Sequence, residues 1–161
     1  MNKVYLNTGS NDGDRLSNLY RAKEFIEHRI GNLISISHIY ETEPWGYASI
    51  KSFYNQCLYL ESTLEPENIL MGIIGIEREM GRIRSGESYT DRIIDIDILF
   101  YNNLIINTKE LTIPHPRLHE RRFVLVPLAE IAEDFIHPVF EKSIIRLLQE
   151  CEDSHSVNLL N

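Results

Sequence analysis

The stretch Arg92-Ile93-Ile94-Asp95-Ile96-Asp97-Ile98-Leu99-Phe100-Tyr101 is a run of strand-forming residues interrupted by two aspartates two positions apart. Side chains alternate along a strand at roughly 3.3 Å per residue, so both carboxylates project from one face about 7 Å apart. Ile94, Ile96, Ile98 and Phe100 then point the other way, toward a core. Ile93 and Leu99 flank the acids on their own face and give them partial cover. Two readings of the pair stand open. Adjacent, partly covered carboxylates repel each other, and a divalent cation relieves the repulsion. Alternating polar residues are also common on the open face of an antiparallel sheet, and taken alone the pair is a weak signal.

Upstream, Val4, Tyr5 and Leu6 begin a strand that ends at Gly9. Asp12 and Asp14 supply capping side chains, and Leu16, Leu19, Ala22, Ile26 and Ile30 recur at helical spacing up to Gly31. Residues 33–40 and 53–60 read as two further strands. Pro66 opens a helix carrying Ile69, Ile73, Ile76 and Met80, which Gly81 can stop. Past the Asp95/Asp97 strand, an Asn102-Asn103 turn leads to a short apolar return over residues 104–106. The last third is expected to be helical in pieces, over residues 124–131 and 143–149. Strand, helix, strand, strand, helix, strand, with an added hairpin and C-terminal helices, is the split βαβ (βαββαβ) order of an α+β, ferredoxin-like antiparallel sheet. No repeat or linker interrupts the chain, so residues 1–161 read as one domain. Two long polar connections, residues 41–52 and 81–92, exceed ordinary hairpin loops and lie where binding loops usually sit.

Composition narrows the class. With 43% apolar and 25% charged residues, the chain is globular rather than disordered. It holds no apolar run long enough to span a membrane. The N-terminus lacks the pattern of a signal peptide, so a cytoplasmic protein is expected. Cys57 and Cys151 are too few for a disulfide framework and read as free thiols. A net charge of −8 speaks against nucleic acid as a partner. Residues 78–122 nevertheless carry a net +1 and seven of the eleven arginines. Arginine grips phosphate in two-pronged fashion, so this store suggests a small anionic ligand; a solvated, salt-bridged face is the plainer alternative. No exposed apolar seam is legible, and a monomer is the default expectation.

Two carboxylates beside arginines from several segments suit nucleotide phosphates. No P-loop pattern is present. His115 and His119 stand four apart, but Pro114 and Pro116 spoil the helix a zinc pair would need. In the 41–52 connection, Thr42, Pro44, Trp45 and Gly46 precede Phe53 and Asn55, which share a strand face. A ring beside an amide can stack on a flat heterocycle and bond its edge, or can serve as a core aromatic beside a turn-favouring Asn.

These motifs together resemble the 6-hydroxymethyl-7,8-dihydropterin pyrophosphokinase family of folate biosynthesis, over nearly the whole chain. The resemblance rests on Gly9-Ser10-Asn11, Tyr40-Glu41-Thr42-Glu43-Pro44-Trp45-Gly46, Phe53-Tyr54-Asn55, and Glu77-Arg78-Glu79-Met80-Gly81-Arg82-Ile83-Arg84. It continues through Arg92-Ile93-Ile94-Asp95-Ile96-Asp97, Leu111-Thr112-Ile113-Pro114-His115-Pro116 and Arg121-Arg122-Phe123. It implies an ATP-dependent transfer of pyrophosphate to the pterin alcohol, with AMP leaving and no dedicated general base. By resemblance, Asp95 and Asp97 are ligands of two Mg2+ ions, and Arg82 and Arg92 stabilise the transferring group. Glu77, Arg84, Ile98, Leu111, Thr112, His115 and Arg121 are implied to contact ATP. Thr42, Glu43, Pro44, Trp45, Phe53, Asn55 and Phe123 are implied to form the pterin pocket, with the two Phe rings as its sandwich.

The chain departs from the family pattern at Thr90-Asp91, where a small residue and proline are usual, at Tyr89, where an indole is common, and at Ser85 and Glu110, where some members are basic. Asp91 is expected to draw charge from its neighbour Arg92, with weaker ATP binding or a differently closing loop as the result. Two readings from other classes compete with the enzyme. A ferredoxin-like small-ligand-binding regulatory module leaves the acid pair and loop arginines unexplained. An RNA-binding domain stacking bases on Tyr5 runs against the acidic balance.

Overall fold

The computed structural model describes residues 1–82 and 90–161 of the chain. Its centre is β1 (Asn2–Ser10), which pairs antiparallel on one side with β4 (Phe53–Ser62) and on the other with β5 (Asp95–Tyr101). The outer edge of β4 is shared by β2 (Asn32–Ile36) and β3 (Tyr40–Thr42), and β8 (Val157–Leu159) extends the sheet beyond β3. Helices α1 (Arg15–Arg29) and α2 (Pro66–Glu79) cover one face; α3 (Arg122–Ala132) and α4 (Ile144–Glu150) pack on the other. This is the ferredoxin-like α+β sheet expected from the element order. Among the described residues, no helix is long and apolar enough to cross a membrane.

Local chemistry sets the element ends. The Asp14 side chain accepts the Ser17 N–H at the start of α1, and Pro66 sits at the first turn of α2, where its missing donor is not needed. The strand expected over residues 33–40 is split. At the break, the Ser37 N–H still donates to Cys57 O (3.0 Å), but Ser37 Oγ accepts the Cys57 N–H (3.0 Å) and Ser37 O accepts Gln56 Nε2 (2.9 Å), so side chains share in the pairing. The apolar return expected over 104–106 does not fold back on β5. Instead β6 (Ile106–Asn107) pairs with β7 (Thr112–Ile113) in a small separate hairpin. The peptide at Ile113–Pro114 is cis, and the His115 N–H donates to Leu99 O at 3.0 Å, fastening this segment to β5.

Val4, Leu6, Leu58, Leu60, Ile96 and Ile98 face α1 and α2; fully burying one such side chain contributes roughly 1.5–3 kcal/mol. Phe100, expected on this same face, lies on the other. The register shifts between Tyr5 and Leu6, which pair with Phe100 and Ile98 and leave Leu99 as an extra bulged residue. The bulge turns Phe100 toward Tyr5, with ring centroids 6.2 Å apart edge to face, in the cluster under α3 and α4.

Candidate active site

Residues directly opposite in an antiparallel ladder share a face, so the sheet register assembles two polar rows beyond the Tyr5–Phe100 cluster. Asp95 faces Gly9, and Gly9 faces Asn55. Two residues along, Asp97 faces Asn7, and Asn7 faces Cys57. Gly9 has to be glycine: a Cβ there would sit 2.6 Å from Asn55 Oδ1. Asn55 is buried and its amide is fixed at both ends, Nδ2 donating to Thr42 Oγ1 (2.7 Å) and Oδ1 accepting from Asn7 Nδ2 (3.4 Å). Cys57 is a free but fully buried thiol whose pKa is pushed up by burial, which makes it a poor nucleophile.

The acid pair is unequal. Asp95 Oδ1 accepts Arg82 Nη1 (2.8 Å) and Oδ2 accepts Arg92 Nη1 (3.2 Å). Arg82 also pairs with Glu77, a buried carboxylate at the end of α2 that accepts the Ile96 N–H at 3.3 Å. Glu77 therefore stands behind Arg82 rather than in the cavity beside Asp97. Asp97 has no ion-pair partner among the described residues. Burial holds its carboxyl well above the usual range, and the neighbouring Asp95 charge adds to the effect. The two carboxylates of the pair offer oxygen donors, which suit a hard cation. Magnesium characteristically takes one or two carboxylates and completes its shell with water and substrate phosphates.

Each acid of the pair lines a different cavity. One is a narrow slot whose lining includes Asp95 and the expected Thr42, Glu43, Trp45, Phe53, Asn55 and Phe123; Pro44 is not among its walls. Arg92 and Arg121 also line it. The Arg92 guanidinium lies 5.6 Å from the Phe53 ring centre, and that of Arg121 lies 4.7 Å from Trp45 and 5.6 Å from Phe123. Arg121, expected with the nucleotide, thus stands on the slot side. The second cavity, of about 250 Å³, brings together Asp97 with the expected Ile98, Leu111, Thr112 and His115. Burial, followed by the positive charge of Arg121, lowers the His115 pKa to about 4, so the ring is neutral near pH 7. Its Nδ1 accepts the Arg117 N–H at 3.1 Å, which leaves the ring proton on Nε2 as a donor. Arg84 lies outside the described residues, as do Ser85 and Tyr89.

The sequence reading missed a hydrogen-bond hub beside the slot. Asp91 Oδ1 accepts from Asn11 Nδ2 (2.9 Å), Tyr47 OH (3.0 Å) and Ser49 Oγ (2.8 Å). Asn11 in turn exchanges two bonds with Arg92: its N–H donates to Arg92 O (3.1 Å), and its Oδ1 accepts the Arg92 N–H (2.8 Å). The Asp91 carboxylate is thus bound to the 43–52 connection, while the Arg92 guanidinium reaches Asp95. Asp91 thereby ties two loops together, a role the sequence reading did not assign to it. Only the polar character of Asn11, Tyr47 and Ser49 hinted at this, because the contacts span up to 80 positions.

Residues 5–133 match the family model described as 7,8-dihydro-6-hydroxymethylpterin-pyrophosphokinase (HPPK). The 2-amino-4-hydroxy-6-hydroxymethyldihydropteridine pyrophosphokinase of Porphyromonas gingivalis is 45% identical over 138 residues, covering 84% of this chain and 93% of the relative. The protein of the same name from Aquifex aeolicus is 40% identical over 144 residues, covering 89% of each chain. Among solved structures, wild-type Plasmodium falciparum HPPK-DHPS with SDX-DHP superposes with a TM-score of 0.74 at 20% identity. That match covers 93% of this chain but 43% of the solved one, so it speaks to the shared fold alone.

Proposed function

The chain belongs to the 7,8-dihydro-6-hydroxymethylpterin-pyrophosphokinase family and is a pyrophosphokinase of folate biosynthesis; from this premise we propose that it moves the pyrophosphoryl group of ATP to 6-hydroxymethyl-7,8-dihydropterin, releasing AMP. The observation that carries this reading is that two acids two positions apart on β5 line different cavities: Asp95 lines the slot and Asp97 lines the second cavity. A donor and an acceptor held in those cavities meet at the acid pair.

In the slot, Phe53 and Phe123 stack on the pterin while Asn55, fixed by Thr42 and Asn7, bonds the ring edge. The second cavity takes the nucleotide, with Leu111 and Ile98 against the base or sugar and the His115 Nε2–H donating to a phosphate oxygen. Arg82 and Arg92, held on Asp95 in this structure, lie beside the acid pair and can turn to phosphate oxygens as charge develops there. Asp95 and Asp97 would hold magnesium, two ions by family resemblance, which when bound supplies countercharge to the phosphates and eases loss of the alcohol proton. Catalysis then rests on positioning and neutralisation rather than on a strong base. We assign this activity to a cytoplasmic, monomeric, single-domain protein.

The test is to incubate the protein with ATP, magnesium and the pterin alcohol and to separate the nucleotides by chromatography. The proposal expects AMP without ADP. ADP would mean transfer of a single phosphoryl group, and unchanged ATP would favour a ligand-binding regulatory module.

A further inference from the structure

The two aromatic walls of the slot hang on different parts of the chain, and one short segment touches both. Phe53 faces Thr42 in the β3–β4 ladder, and Thr42 faces Val157 of β8. Next to this pair, the Glu43 N–H donates to Ser156 O (3.4 Å) and the Ser156 N–H donates to Glu43 Oε1 (3.1 Å). On the other side, Phe123 is the second residue of α3, whose first N–H, that of Arg122, donates to Asp153 Oδ2 at 3.0 Å. The residue preceding α3, Arg121, contributes no side-chain cap. Asp153 is therefore the cap of α3, supplied from 31 positions away.

The Asp153 side chain is 4% exposed. Burial disfavours its charge, yet hydrogen bonds from the His155 side chain and N–H and from the Arg122 N–H hold its carboxyl below the usual range. From Asp153 to Val157 the chain can span at most about 14 Å, at 3.3–3.6 Å per residue, so the tie is short. It lies beyond residues 5–133, which carry the family match.

We propose that residues 153–157 form a brace that sets the gap between Phe53 and Phe123, with Asp153 as a positioning residue for recognition of the flat substrate. Asp153 does not line the slot and acts through Arg122 and Phe123. The substrate named here rests on the pterin reading above; the brace itself rests on the contacts just described.

The experiment compares wild type, Asp153→Ala and Asp153→Asn by steady-state kinetics and by amide hydrogen exchange without ligand. A lost helix cap is a modest change, and Asp153→Ala should raise the KM for the pterin alcohol about tenfold, leaving the ATP KM within about twofold. Asp153→Asn, which keeps an acceptor, should recover part of that loss. Exchange in Asp153→Ala should speed up at both walls, the first turn of α3 and residues 42–43. Faster exchange at α3 alone, or a pterin KM equal to wild type in an enzyme that uses pterin, overturns the brace. If wild type does not use the pterin while both walls still loosen together, the brace stands and the substrate reading falls.

Discussion

On the face that packs α1 and α2, β1, β4 and β5 present Val4, Leu6, Leu58, Leu60, Ile96 and Ile98 to the core. On the opposite face the same strands present Tyr5 and Phe100 at one end and Asn7, Asn55, Asp95 and Asp97 at the other. Neighbouring positions on one strand thus serve different ends: in β1, Val4 and Leu6 bury aliphatic groups, while Asn7 and Gly9 stand in the rows that build the site. The polar end is not there for stability. Burial and the Asp95 charge act against the Asp97 carboxylate, a cost to the fold that makes sense where a cation and a substrate are to be gathered.

The largest effect that separates the faces is expected from Asp97→Ala. Removing a carboxylate from the acid pair should lower turnover by about a thousandfold or more, the scale of losing several kcal/mol of charge stabilisation. Because the folded-state pKa of Asp97 is raised, its charge works against the fold as pH rises through that value. Without magnesium at pH 8, Asp97→Ala should therefore melt at the wild-type temperature or above it. The reciprocal change is Leu6→Ala on the apolar face, which should destabilise by about 2–5 kcal/mol in denaturant unfolding while the surviving folded enzyme keeps both KM values. A large KM change in Leu6→Ala would show that the two faces are not separable.

The apolar face was the more legible of the two because its signals are local. Period-two alternation located β5, and 3.6-residue spacing with Asp14 and Pro66 located α1 and α2. Where the reading failed, a distant partner decided. Phe100 turned over because a bulge forms against Tyr5, and no pattern inside the strand reveals that register shift. β8 has no counterpart in the sequence reading because three residues of strand have no period to detect; pairing with β3 creates it. On the site face, the Phe53/Asn55 alternation and the acid pair were visible. The fixing of Asn55 by Asn7 and the close approach at Gly9 depend on β1 lying between β4 and β5, which becomes known only with the sheet order.

Asp91→Asn probes the edge of the site and should have the smallest effect. It weakens a carboxylate that three donors share, so the 43–52 connection should loosen and the pterin KM should rise by about three- to tenfold, on the order of one charged hydrogen bond. Thermal unfolding should shift little, and the ATP KM should change less than the pterin KM. The opposite ranking of the two KM values would mean that Asp91 acts on the nucleotide side, through Arg92, after all.

The most direct measurement is a crystal structure with magnesium, an ATP analogue that cannot be cleaved, and the pterin alcohol. The account predicts the pterin between Phe53 and Phe123, the nucleotide against Leu111 and His115, and both Asp95 and Asp97 on the metal. The hydroxymethyl oxygen should lie about 3–3.5 Å from the β-phosphorus. A nucleotide bound away from Asp97, or a pterin outside the slot, would contradict it.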